Sequence, residues 1–164
     1  EIYKLKNAGA HFALFAANTP HVVFDEIQAR SPLPLLSIVE ATCKHAQKLG
    51  LNTLGLFGTG FTMKGNIYPE TFARAGMKVV VPSPEEQSYI HEKYMCELLK
   101  SVFLPETRER MLAIIGRLRS SEGIQGLILG GTELPLILRG ADAGIPLLDT
   151  TTIHVQAAVA EMLS

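Results

Sequence analysis

Tryptophan is absent from the chain, cysteine occurs only twice, and charged side chains make up just 19% of the residues. Two cysteines cannot build the disulfide framework of a small secreted domain. Cys43 and Cys96 also lack metal-ligand spacing, and both fall within helical patterns. They read as buried, reduced thiols, as expected of a cytoplasmic protein, with a disulfide between them as the other arrangement the residues allow. Fifteen basic residues against sixteen acidic ones leave a net charge of -1, which gives no electrostatic footprint for a nucleic acid or an acidic partner. No apolar run is long enough to cross a membrane. No signal peptide is visible, and the chain opens on Glu1 rather than methionine. Residues 1–9 read as the tail of a helix ended by Gly9, so a strand–helix segment is expected upstream.

What is abundant is apolar residues and glycine. Hydrophobic side chains account for 47% of 164 residues, with 14 glycines, enough for a real core in one domain or two small lobes. The most informative stretch is residues 126–138, Gly-Leu-Ile-Leu-Gly-Gly-Thr-Glu-Leu-Pro-Leu-Ile-Leu. A short continuous apolar run closed by two glycines suits a parallel strand covered on both faces. Gly130 and Gly131 let the backbone turn and leave room for something to approach it. Thr132 and Glu133 then bring a hydroxyl and a carboxylate to the end of the strand, where open α/β sheets bind ligands. A plain turn between strand and helix is the competing reading.

Three other strand ends have a similar character. Residues 12–16 form an apolar run that meets Ala17, Asn18, Thr19, Pro20 and His21, with Pro20 suited to a first helical turn. Residues 54–57 run into Gly58, Thr59, Gly60, Phe61, Thr62 and Met63. That turn is neither a Walker loop nor a dinucleotide fingerprint, because the lysine and glycine spacings are wrong. Its N–H groups and the hydroxyls of Thr59 and Thr62 would suit a small anion such as a carboxylate, against the alternative of an ordinary glycine-rich turn. Residues 145–148 lead to Asp149, Thr150, Thr151, Thr152, Ile153 and His154, where Asp149 or Thr150 can cap a last helix over 153–163. His154 reads either as a capping or surface histidine or as a site residue.

Between these ends the pattern alternates strand and helix. Ser37 and Glu40 have capping-box spacing for a helix ended by Gly50, and Ser83-Pro84-Glu85-Glu86 is a strong helix start. Tyr89, His91 and Tyr94 on that helix read as packing or surface residues. Pro105 opens a further helix, with Arg108, Arg110, Arg117 and Arg119 on a solvated face. The class is therefore α/β with parallel sheets. Residues 50–149 give one nearly complete flavodoxin-like lobe, and residues 1–49 with 150–164 give a second, partial one.

Four motifs in order, Ala-Asn-Thr-Pro-His (17–21), Gly-Thr-Gly-Phe-Thr-Met (58–63), Leu-Gly-Gly-Thr-Glu-Leu-Pro-Leu (129–136) and Asp-Thr-Thr-Thr-Ile-His (149–154), resemble those of the aspartate/glutamate racemases that need no pyridoxal phosphate. The resemblance covers the chain except for that family's N-terminal strand–loop–helix. It implies two pseudo-symmetric lobes, the first N-terminally truncated here, and a cleft between them that holds a small amino acid. It implies no organic cofactor and no metal, and a homodimer. One proton carrier stands on each side of the substrate Cα, usually a cysteine thiol in Cys-Asn-Thr and Gly-Cys-Thr-Glu patterns. In this sequence Ala17 and Gly131 occupy those two positions, and neither carries a proton. The supporting residues Asn18, Thr19, Gly58, Thr59, Thr62, Thr132 and Glu133 remain.

Two functions follow as expectations. One is amino-acid racemase chemistry on aspartate, glutamate or a similar small acid, with Thr19, Thr132, Glu133, His21 or His154 as proton carriers and reduced activity. The other is an inactive binding or regulatory protein, or an engineered variant, on the same scaffold, binding a small amino acid or dicarboxylic acid.

Overall fold

The computed structural model describes residues 1–140 and 142–163. In chain order, α1 (Ile2–Asn7) leads to β1 (Ala13–Leu14), and a tight helical turn at Thr19–Val23 runs into α2 (Phe24–Gln28). β2 (Leu35–Leu36), α3 (Ile38–Lys48), β3 (Thr53–Gly58), α4 (Gly60–Lys64) and α5 (Ile67–Arg74) follow. Then come β4 (Lys78–Val80), α6 (Pro84–Cys96), α7 (Pro105–Glu122), β5 (Gly126–Gly130), α8 (Leu134–Ile137), β6 (Leu147–Asp149) and α9 (Thr150–Met162).

The helix ends follow local chemistry. Ser83 accepts the Glu86 N–H while the Glu86 carboxylate accepts the Ser83 N–H, closing a full capping box on α6. Ser37 accepts the Glu40 N–H at the start of α3. Gly123 ends α7 at φ 66°, a left-handed conformation that a Cβ would strain.

β3, β4, β5 and β6 form one parallel sheet in the order β4-β3-β5-β6, and β1 pairs with β2 in a separate parallel pair. The four-stranded order is the flavodoxin-like one, and it reverses direction between β3 and β5. Alternate residues supply opposite faces, as strand geometry requires. Phe57, Leu127 and Leu129 join α6, α7 and α8 in one apolar cluster, including Ile90, Met111, Ile115 and Leu134. Leu54, Leu56, Ile128 and Leu148 join α3, α5 and α9 in the other, including Val39, Ala46, Tyr68 and Phe72. Covering both faces explains why the strands read as unbroken apolar runs. Each fully buried leucine or phenylalanine stabilises by roughly 1.5–3 kcal/mol relative to exposure.

Three local expectations are corrected. The strand expected over 12–16 pairs only at Ala13–Leu14, because Phe15 turns out of it to pack edge-on against His21 and Phe24. The last helix begins at Thr150 rather than residue 153. Asp149 caps it there, its Oδ1 accepting the N–H groups of Thr151 and Thr152 at 3.0 and 3.1 Å. Cys43 is buried, but Cys96 is exposed at the end of α6, and both thiols are free.

Candidate functional site at the strand ends

In a doubly wound sheet, the crevice at the point where strand order reverses lies beyond the carboxyl ends of the two strands that flank it. Here those strands are β3 and β5, and they end on register partners, Gly58 and Gly130. The two backbones meet with no space for side chains. A Cβ on Gly58 would stand 2.9 Å from the Thr62 side chain and 3.0 Å from the Gly130 carbonyl oxygen. A Cβ on Gly130 would stand 2.9 Å from the Phe57 carbonyl oxygen. Buried Thr62 lies over both glycines, and its hydroxyl is 3.2 Å from that of Thr59.

The turn after β3 is largely satisfied by its own neighbours. Thr59 Oγ1 accepts the Thr62 N–H at 3.3 Å, and the Gly60 N–H donates to His91 Nδ1 at 3.1 Å. Two of the donors offered for an anion are thus engaged within the protein. His91, expected only to pack or face solvent, ties α6 to this turn.

After β5, Thr132 is exposed and Glu133 half-buried. Glu133 Oε2 accepts the Thr132 hydroxyl at 2.7 Å and also accepts the Tyr94 hydroxyl. Tyr94 was expected to be a packing or surface residue. Its ring is buried, but its hydroxyl reaches the strand end. The ring also lies where a side chain at 131 would go: a Cβ on Gly131 would meet the ring at 2.6 Å. Burial and the neighbouring Glu133 push the Tyr94 phenol up to about 12, so near neutral pH it keeps its proton and acts as a hydrogen-bond donor.

The turn after β1 joins the same region through a buried relay. Asn18 Nδ2 donates to Thr150 Oγ1 at 3.1 Å, and Thr150 donates to the Leu129 carbonyl at 2.8 Å. Asn18 Oδ1 accepts the Tyr68 hydroxyl at 2.5 Å, and burial raises the Tyr68 phenol far above its ordinary range. Asn18 is therefore fixed through both ends of its amide, and the relay ends two residues before Gly131. The turns near Asn18, Thr59 and Thr132 thus lie around one end of one sheet. Ala17 is half-buried and Thr19 exposed.

The two histidines have structural partners. The Ile38 N–H donates to His21 Nε2 at 3.1 Å, so Nδ1 carries the proton and faces the Ala17 carbonyl at 3.0 Å. Both ring nitrogens are used, the side chain is fully buried, and desolvation lowers its pKa from 6.5 to about 4. His21 has no ring nitrogen left for a substrate proton. His154 Nε2 faces the Leu36 carbonyl at 3.0 Å, and burial lowers its pKa as well. Both histidines clamp the segment between β2 and α3.

Tyr94, Tyr68 and His91 are polar contributors that motif reading passed over, and Thr150, read as a possible helix cap, instead links Asn18 to the Leu129 carbonyl. Tyr94 carried one usable signal: it stands four residues from both Ile90 and Leu98, on the buried face of its helix, and a buried phenol needs a partner for its hydroxyl. Among the described residues, no three His, Cys, Asp or Glu side chains group to hold a metal ion. No described helix is long and apolar enough to cross a membrane.

A parallel sheet wound on both faces, with threonines, an asparagine and a carboxylate gathered at its switch point, defines an α/β protein whose polar side chains meet beyond the strand ends. Its lineage is specific: the Asp/Glu/Hydantoin racemase family model matches residues 1–158, and the chain belongs to that family. It is 25% identical to a broad specificity amino-acid racemase of Bacillus subtilis over 98% of this chain and 69% of the relative. Among solved structures it resembles an aspartate racemase homologue from Pyrococcus horikoshii, with 35% identity and a TM-score of 0.91, over 99% of this chain and 71% of that one. Its likeness to the aspartate racemase of Picrophilus torridus is one of fold, at 22% identity and a TM-score of 0.79, over 98% of this chain and 65% of that one.

Proposed function

We propose that the crevice beyond β3 and β5 binds a small acidic amino acid and exchanges the proton at its Cα without a cofactor, at a rate far below that of a thiol pair. The observation that carries this reading is the convergence of Asn18, Thr59, Thr62, Thr132 and Glu133 on one end of one sheet in a racemase-family fold. The α-proton of an amino acid is very weakly acidic. Its removal needs a base already in place and a dry, polar surround for the carbanion. Ala17 and Gly131, at the positions the resemblance assigns to the two cysteines, supply no such group. With His21 and His154 committed to backbone partners, the carriers left are Thr19, Thr132 and Glu133. Of these Glu133 is the only ready base, since a threonine hydroxyl needs activation.

A second reading, a binding or regulatory protein without turnover, is favoured by Tyr94, whose ring fills the place of a side chain at 131. One experiment separates the two. Incubation with L-aspartate or L-glutamate in deuterated water, at high protein concentration, should place deuterium at Cα. Calorimetric binding without deuteration supports the second reading, and absence of binding removes both. The same proposal carries a homodimer in the cytoplasm, in keeping with the family resemblance and the free thiols. Light scattering of the purified chain checks the dimer.

A further inference from the structure

A cavity of about 320 Å³ lies between the start of α7 and α8. Phe103 and Leu104, on the approach to α7, and Leu136 and Ile137, on α8, line it together with Arg108 and Arg139. None of the residues gathered beyond β3 and β5 is among its walls. Leu136 is 52% exposed and Phe103 40%. Single exposed apolar side chains are ordinary on a surface, but these two share one concavity. Its size, and its mainly apolar lining with a few charged groups, are those of a small-molecule site.

The two arginines have no structural task there. Among the described residues, the ion pairs are Lys4–Glu1, Lys93–Glu97 and Arg117–Glu86, and neither Arg108 nor Arg139 has a salt-bridge or side-chain hydrogen-bond partner. Arg108 was expected on a solvated face, yet it is half-buried. It also stands in the first turn of α7, where the positive end of the helix dipole disfavours a cation. Glu109 lines the same cavity and offsets one of the two charges, so one positive charge is left in excess. A guanidinium presents a fork of N–H donors that fits an oxyanion in two places at once.

We propose that this cavity is a second ligand site, separate from the crevice at the strand ends, and that it takes a small monoanion with an apolar body, such as an aryl carboxylate. The carboxylate meets Arg108 and Arg139, and the apolar body lies against Phe103 and Leu136. The single charge in excess matches one carboxylate better than a phosphate ester, which carries close to two negative charges near neutral pH. The inference stands whether or not the crevice turns over an amino acid.

The probe is 3-phenylpropionate, titrated into the isotopically labelled chain and followed by amide chemical shifts. Saturable shifts should centre on residues 103–109 and 136–139, with a dissociation constant on the order of millimolar, ordinary for a ligand of this size. The neutral isostere 3-phenylpropanamide should bind roughly tenfold more weakly, and so should inorganic phosphate, which lacks the apolar body. Arg108→Gln and Arg139→Gln should each weaken the carboxylate by about tenfold and leave the amide unchanged. Phe103→Ala should weaken both. Both arginines face solvent in part, so these chains should fold, as the unshifted remainder of the spectrum would show. Equal binding of acid and amide, indifference to both arginine substitutions, or shifts centred on residues 58–62 and 131–133 overturns the inference. So does a dimer, seen by light scattering, that Phe103→Asp dissociates, because this face would then belong to a second copy of the chain.

Discussion

Protonating His21 should cost this protein stability over a defined pH window. Its Nε2 accepts the Ile38 N–H and its Nδ1 donates to the Ala17 carbonyl. A second proton on the ring would set two N–H groups against each other in a fully buried place. Burial is the largest cause of the lowered value, with the nearby His154 ring adding to it and the Ala17 bond opposing it. Because the folded value lies below the unfolded one, the unfolded chain takes up the proton first. Stability is therefore complete above pH 6.5 and falls as pH drops towards about 4. At about 1.36 kcal/mol per pH unit, the full loss is roughly 3 kcal/mol, of which about 2 are gone by pH 5. His154 has the same sign and adds to the fall. The lowered carboxylates Glu86 and Glu97 lose their contributions only at more acid pH, below the carboxylate range. The window from pH 7.5 to 5 thus isolates the histidines. Urea denaturation should show the midpoint dropping by roughly 1 M over that range, for an m-value of ordinary size. His21→Gln, less stable at neutral pH, should lose most of that slope. A slope unchanged in His21→Gln, or a wild-type midpoint flat across the window, would refute the reasoning.

Four further outcomes are expected. Gly131→Cys alone should destabilise by about 1–3 kcal/mol, the usual cost of overpacking, because the Tyr94 ring stands in the way; Tyr94→Leu should cost less in the Gly131→Cys background than in the wild type, read by thermal denaturation of the four chains. Restoring thiols at 17 and 131 should therefore yield racemisation, followed by chiral chromatography, only when Tyr94 is also made smaller. Asn18→Ala removes the shared partner of Tyr68 and Thr150 and should cost on the order of 2–3 kcal/mol for the buried groups left unmatched, measured as a loss in urea midpoint. Ser83→Ala opens the capping box on α6 and should cost about 1 kcal/mol by the same measurement, with no change in ligand binding.

How far the sequence reaches can be judged at particular residues. The helix start at Ser83 was legible because capping depends on atoms within three residues of one another. The strands 54–57 and 127–129 were legible because burial on both faces leaves an unbroken apolar run, and their parallel pairing followed from the alternation with helices. The strand after α1 was overestimated because its end is set by Phe15 packing on His21 and Phe24, a contact across the turn. Cys96 was expected inside because a single residue at a helix end carries no periodic signal of its own.

The same division runs through the site. The residue types at the strand ends, and their glycine-rich turns, are fixed by local order along the chain, and they carried the family likeness. Which groups remain available there was decided by contacts between residues far apart in sequence. Residue 21 was free to be a proton carrier until Ile38 claimed one ring nitrogen, and the turn at 58–63 was an open cradle until His91 took the Gly60 N–H. Tyr94 reached Glu133 across 39 positions. Sequence determined the sheet, its polar rim and the lineage, because short-range periodicity and capping encode them. Tertiary structure alone decided the protonation state, partner and free valence of each polar group, because burial and hydrogen bonding are properties of the packed neighbourhood.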